Sequence, residues 1–204
     1  MLYYNFLIDY YVYLDGLNEL LNNNLYKTKS FIYLPSFFIF TPLLLNKEIF
    51  FNFLIICFIL DILLLVKLKE NPIIVIFFGM FLISRLFAGN IDVFIFLIIT
   101  YCLYKDNEIL TTILLAFITF KPTVILILPY FVYYSKNRKR FIIIYSITLI
   151  LFNIYFLFYP EKILEYIYQG LTFSNDIRVY LCYSWLFYVY YYYFKNKVIL
   201  PKYF

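Results

Sequence analysis

The chain has 204 residues, 65% hydrophobic and 25% aromatic, with a formal net charge of +5 and no histidine. Soluble domains average roughly 45–50% apolar, and the mean hydropathy of +0.85 arises from long unbroken apolar blocks, not from an amphipathic pattern. Without histidine there is no Ser-His-Asp triad and no histidine metal site. The basic residues fall in short loops between apolar blocks, where they set membrane orientation and give no sign of a nucleic-acid partner.

Only helices or closed barrels satisfy the backbone in lipid, and the blocks lack the period-two alternation of barrel strands. The expectation is an all-α protein: a polytopic transmembrane helical bundle, one domain over residues 1–204, integral to the cell membrane and multi-pass. Cys57, Cys102 and Cys182 lie inside apolar blocks and read as small hydrophobes, with no disulfide framework. Residues 1–8 are too short to span or to form a signal peptide. Either the amino end starts outside, or a further helix precedes it.

Residues 9–30 are the most polar segment, with Asp15, Glu19, Asn22, Asn23, Asn24, Lys27 and Lys29. Val12, Leu14, Leu17, Leu20 and Leu21 recur at helical spacing, which predicts a helix over 9–21 lying on the interface, with Asp15 and Glu19 on its solvated face. Residues 36–45 include Pro42 and are too few to cross ~30 Å at ~1.5 Å per residue. They are expected to form a short re-entrant or interfacial helix, so that 9–48 make an outer loop and 49–194 hold the transmembrane helices.

The first span is 49–66, with Asp61 expected to make a buried helix–helix hydrogen bond. Lys67, Lys69 and Glu70 follow, and Pro72 opens a shorter span to about Ser84. Residues 85–92 form a polar break, 93–104 return, and 105–108 form a loop. Residues 109–119 and 123–134 are two apolar halves around Lys121-Pro122. Pro122 lacks an amide N–H and keeps Lys121 extended, which predicts a turn. A lone lysine in such an uncharged run is costly unless it meets a cavity or a partner. Residues 136–140 form the strongest basic loop, 141–159 span, 160–179 are a polar loop with Glu161, Glu165, Asp176 and Arg178, and 180–194 span last. Tyr188 and the tyrosines at 190–193 suit an interfacial belt.

Placing 136–140 inside orients the rest. If 109–134 form a hairpin with Lys121 at its outer tip, then Lys67, Lys69, Lys105, Lys195, Lys197 and Lys202 are inside. Asp9, Arg85, Asn90, Asp92 and Lys121 then share the outer face.

Those residues carry a resemblance. The order Ile8-Asp9-Tyr10-Tyr11-Val12-Tyr13-Leu14-Asp15-Gly16, Leu25-Tyr26, Tyr33-Leu34-Pro35 and Pro42-Leu43 resembles the first outer loop of GT-C membrane glycosyltransferases. It is similar to the family that adds the first mannose in GPI-anchor synthesis and to the polyprenol-phosphate-mannose-dependent family 87. Leu60-Asp61-Ile62-Leu63-Leu64 looks like an Asp-Leu-Leu stretch in a span of the former. Gly89-Asn90-Ile91-Asp92 resembles the Gly-Asn or Gly-Gln turns of these enzymes. Phe120-Lys121-Pro122, with Leu128-Pro129 after it, resembles their Lys-Pro stretch. Leu7 stands where the GPI enzymes have a first acidic residue.

The resemblance implies transfer, with inversion, of a hexose such as mannose from a polyprenyl-phosphate sugar to a glycolipid or glycan acceptor at the outer membrane face. No cofactor is firmly implied, although a divalent cation (Mg or Mn) is compatible. The chemistry needs a carboxylate to take the acceptor proton and cations for the leaving lipid phosphate. Asp9 is the candidate base, Lys121 and Arg85 the candidate phosphate contacts, and Asn90, Asp92 and Tyr33 the candidate sugar or acceptor contacts. Each has a structural alternative: Asp9 as a helix cap, Lys121 snorkelling, Arg85 as a helix-end anchor, and Asn90 with Asp92 as a turn after Gly89. The second class of function is a non-catalytic GT-C relative that serves as a membrane partner subunit.

Overall fold

A computed structural model describes residues 8–22, 25–26, 33–105, 107–173 and 184–199. The expectations for Leu7, Asn23, Asn24, Lys27, Lys29, Asp176, Arg178, Cys182 and Lys202 lie outside those residues. Every regular element among the described residues is a helix. In chain order they are α1 (Ile8–Leu21), a 3-10 turn (Pro35–Phe40), α2 (Thr41–Leu44), α3 (Lys47–Lys67), α4 (Pro72–Phe87), α5 (Asp92–Tyr104) and α6 (Glu108–Ile118). A second 3-10 turn (Pro122–Ile127) follows, then α7 (Leu128–Tyr134), α8 (Arg138–Phe152), α9 (Tyr155–Phe158), α10 (Glu161–Phe173) and α11 (Ser184–Ile199).

Asparagines start four of these helices. The side-chain oxygens of Asn46, Asn71, Asn107 and Asn137 accept from backbone N–H groups in the first turns of α3, α4, α6 and α8. Those N–H groups have no partner within their own helix. Pro72 and Pro122 each occupy a first helical turn, where the missing N–H costs nothing.

Helices α3, α4 and α5 pack on one another, α6 lies against α5, and α8 lies along α6. The Lys67 ammonium sits 6.0 Å from the centre of the Tyr104 ring, so α3 and α5 end together and run in the same direction. Glu108, at the start of α6, accepts from Ser135 Oγ and from the backbone N–H of Asn137 (3.2 Å), just after α7. Residues 108–134 therefore leave and return to the same end of the bundle, as the predicted hairpin requires. Phe120 meets Phe37, Phe40 and Phe117 edge to face at the hairpin's far end, with centroids 5.5–5.8 Å apart.

The outside of the bundle is apolar. Ile56, Ile59, Leu63 and Val66 of α3, Ile73, Ile76, Phe77 and Met80 of α4, and Ile143, Ile147 and Ile150 of α8 are all exposed. Helix α3, with 21 residues, is the one helix among the described residues that is long and apolar enough to cross a membrane. The apolar helices α4, α5 and α6 are shorter, with 16, 13 and 11 residues. Proline and glycine set several of their limits: Pro72 opens α4, Gly89 follows it, and Pro122 stops α6.

Several elements differ from expectation. Residues 161–173, expected as a polar loop, form α10, because Ile163, Tyr166 and Ile167 recur at helical spacing. The span expected over 141–159 breaks at Asn153, whose Nδ2 donates to the Leu149 carbonyl (2.9 Å) and whose Oδ1 accepts from the Ser36 N–H (3.3 Å). Glu19, expected on a solvated face, is buried and accepts from the Tyr26 N–H (3.1 Å), while Asp15 is exposed as expected. Asp61 is fully buried, but neither carboxyl oxygen has a hydrogen-bond partner among the described residues, so the expected helix–helix bond is not made. Cys57 and Cys102 are free and buried.

Glu70 fastens α11. Its buried carboxylate meets Lys195 Nζ at 2.8 Å and accepts from the Tyr188 and Tyr191 hydroxyls, each at 3.3 Å. Removing one partner of such a pair leaves the other charge stranded. Glu70→Ala is expected to lower stability by about 3 kcal/mol, read as a lower melting temperature in detergent micelles.

Candidate functional site

The site begins with the end of α4. Gly89 has a positive φ of 68°, its N–H donates to the Leu86 carbonyl (2.9 Å), and the Asn90 N–H donates to Arg85 (2.9 Å). This pair of bonds closes the helix with a left-handed residue, which glycine adopts without strain. The chain then turns at once into α5. Asn90 uses both ends of its amide there: Oδ1 accepts from the Asp92 N–H (2.8 Å), and Nδ2 donates to Asp9 Oδ2 (2.8 Å). Asp92 sits in the first turn of α5, where the helix dipole favours a negative charge.

Helix α1 brings Asp9. Its backbone N–H donates to the Ala88 carbonyl at 3.1 Å. One turn later the Tyr13 hydroxyl accepts from the Ile91 N–H (3.1 Å), which pins the same turn from below. Tyr13 also lies 3.4 Å, oxygen to oxygen, from the Tyr33 hydroxyl.

Lys121 arrives from the hairpin. Pro122 holds it extended, with φ −94° and ψ 107°, as the residue before a proline prefers. The neighbouring Phe120 is fully buried, and its carbonyl accepts from the Leu34 N–H at 2.8 Å. These bonds direct the lysine inward, and its ammonium meets Asp92 Oδ1 at 2.5 Å. Lys121 is 9% exposed and Asp92 1%, and Asp92 Oδ2 has no hydrogen-bond partner among the described residues.

Arg85, in the last turn of α4, is half-buried and lies 5.0 Å from the centre of the Phe81 ring. Its Nε has no hydrogen-bond partner among the described residues. Burial lifts the Asp9 carboxyl above its ordinary range, while the Asn90 amide and the Lys121 and Arg85 charges pull it back and Asp92 adds to the rise. Burial likewise pushes the Tyr33 phenol up to about 12, against the pull of Lys121, so Tyr33 remains a neutral hydroxyl at physiological pH.

Five of the six residues singled out in the sequence are thus joined through bonds, and Arg85 reaches them only through its charge. Asp9, Asn90, Asp92 and Lys121 form a continuous chain of bonds, Tyr33 joins through Tyr13, and the Arg85 charge acts on Asp9. Tyr13 was missed as a site residue, because a tyrosine in a run of tyrosines carries no signal of its own. The expected phosphate contact at Lys121 is altered: its charge is already matched by Asp92. An ammonium occupies Asp92 Oδ1, and no group of three His, Cys, Asp or Glu side chains gathers among the described residues. Beside Leu34, an apolar cavity of about 240 Å³ is lined by Leu149, Ile150, Asn153, Phe156 and Leu157.

No family model, curated protein or solved structure matches this chain.

Two outcomes test the geometry. Because Asp9 holds its proton more tightly when folded than at the ordinary value of 3.8, its contribution is fully present below that value and is lost as pH rises through the folded one. Asp9→Asn removes this loss and can still accept from Asn90. The variant should therefore melt above the parent at neutral pH, with the gap closing in melts taken toward about pH 4. Lys121→Met strands the Asp92 carboxylate and should cost about 3–5 kcal/mol, whereas Lys121→Met with Asp92→Leu should recover most of it, as measured by chemical denaturation.

Proposed function

We propose that this chain is a multi-pass membrane glycosyltransferase of the GT-C type. It moves a hexose, mannose in the first instance, from a polyprenyl-phosphate donor to a glycolipid or glycan acceptor. The observation that carries the reading is the meeting of Asp9, Asn90, Asp92, Lys121, Tyr33 and Arg85, drawn from four separate segments, at one end of the bundle.

The membrane part of the proposal is supported by the apolar exterior. Monomeric soluble proteins rarely expose contiguous apolar patches beyond a few hundred Å², yet three helices here present large aliphatic side chains outward. Shorter helices such as α4 suit a bundle that crosses lipid together, with the Asp9 end and the basic end (Lys67, Lys105, Lys136 and 138–140) at opposite surfaces.

The chemistry follows from the site. An acceptor hydroxyl attacks the anomeric carbon, and its proton passes to Asp9, whose burial moves its affinity toward that of an effective base. The bond from the anomeric carbon to the phosphate oxygen breaks, and the lipid phosphate leaves with the electron pair. Arg85, which has no ion pair among the described residues, meets that charge, and the Asp92-paired Lys121 adds its field. Tyr33 donates a hydrogen bond as a neutral phenol.

The second reading is a non-catalytic GT-C relative that holds a membrane partner. The Asp92–Lys121 pair favours it, because it gives both charges a structural role. Purified protein in lipid should transfer radiolabelled mannose from polyprenyl-phosphate mannose to a glycolipid mixture, and Asp9→Asn should cut the rate at least ~100-fold. Equal transfer by the variant removes Asp9 from the mechanism, and donor binding without transfer by either protein supports the partner reading.

A further inference from the structure

At the end of the bundle opposite Asp9 lies a cavity of about 230 Å³. It is walled by the end of α5, the start of α6, the end of α7 and the basic segment after it, together with Phe141 and Tyr192. Its polar lining is mixed. Lys105 and Lys136 are exposed side chains at its edge. Glu108 accepts from Ser135 Oγ and the Asn137 N–H, and both bonds fall on Oε1, so Oε2 has no hydrogen bond among the described residues. Four phenols line it as well, those of Tyr104, Tyr130, Tyr134 and Tyr192, and the Tyr130 and Tyr134 ring centroids lie 4.9 Å apart.

We propose that this cavity is a binding site for the headgroup of an anionic phospholipid that carries a polyol. Two ammonium groups on separate elements bracket a phosphodiester, and each ammonium is a compact, adaptable partner for phosphate. The carboxylate and phenols serve hydroxyls instead: Glu108 accepts from a glycerol or inositol hydroxyl, and the tyrosines donate or accept. Glu108 also sets selectivity, since a bare phosphate would meet its repulsion. The volume lies below the roughly 300–1,000 Å³ of drug-sized sites, which suits a headgroup whose acyl chains stay outside. Ile109, Leu110 and Ile113 of α6 offer exposed apolar surface to those chains. The proposal rests on the membrane part of the reading above and is independent of glycosyl transfer.

The test is native mass spectrometry of the protein released from nanodiscs of equal phosphatidylglycerol and phosphatidylcholine, with detergent used to strip loosely held lipid. One phosphatidylglycerol should persist on the parent protein in preference to phosphatidylcholine. Lys105→Gln with Lys136→Gln should reduce its retention about tenfold, and Lys105→Arg with Lys136→Arg should keep it. Lys105→Gln alone, at an exposed position, should reduce it severalfold and guards against a misfolded double variant. Arg138→Gln with Lys139→Gln, on the same basic segment but outside the cavity wall, should leave retention unchanged. Equal retention of the two lipids, or as large a loss in the Arg138/Lys139 variant as in the cavity variant, would overturn the proposal.

Discussion

Lys121 and Asp92 are each more than nine-tenths buried, and each alone would be a charge stranded in an apolar interior. Together they join the tip of the hairpin to the first turn of α5, across 29 residues of chain, at 2.5 Å. An ammonium placed mid-way through an apolar run must find a partner, and the route to this one is narrow. Pro122 makes the chain extended at Lys121, Phe120 anchors the tip among phenylalanines, and Leu34 hydrogen-bonds the tip's backbone. The pair in turn fixes Asp92, whose backbone N–H donates to Asn90 Oδ1, and Asn90 Nδ2 then donates to Asp9. This buried contact ties the hairpin to the turn that carries Asn90 and, through it, Asp9.

The two ends of the bundle differ in kind. At the Asp9 end, opposite charges from distant segments of the chain meet and hydrogen bonds run from segment to segment. At the other end, positive charge dominates: Lys67, Lys105, Lys136 and 138–140 gather there, and the buried Glu70 is satisfied by Lys195 and two tyrosines. Between the ends, aliphatic side chains cover the outside. A bundle with one basic end, one mixed polar end and an apolar waist matches the demands that a bilayer makes on a protein. The sugar-transfer proposal uses one end and the lipid proposal the other.

Much of this was legible in the sequence because it depends on local rules. Pro122 after Lys121 dictates an extended break whatever the tertiary context, and Gly89 before Asn90 marks a helix end. The uncharged flanks of Lys121 give the hairpin its two halves. Other features need the third dimension. Glu19 is polar and falls within a polar segment, so nothing in its neighbourhood predicts that it turns inward to the Tyr26 amide. Tyr13 lies in a run of aromatic residues, and its role comes from a backbone N–H 78 residues away. Asn153 looks like one more polar residue in a span, yet it breaks α8 because it can bond both its own helix and Ser36. The four capping asparagines show that role only once the helix starts are known. Asp61 remains without a physical account: a fully buried carboxyl with no hydrogen-bond partner among the described residues.

The central claim is that residues 108–134 form a hairpin whose tip carries Lys121 to Asp92. The direct measurement is the sidedness of its two feet. Single cysteines in place of Lys105 and Lys136, both exposed, would be introduced with the native cysteines replaced, and labelled in intact cells and in inverted vesicles with a membrane-impermeant maleimide. The account predicts that both positions react from the same side. Reaction from opposite sides would make residues 108–134 a single crossing, separate Lys121 from Asp92 and contradict the account.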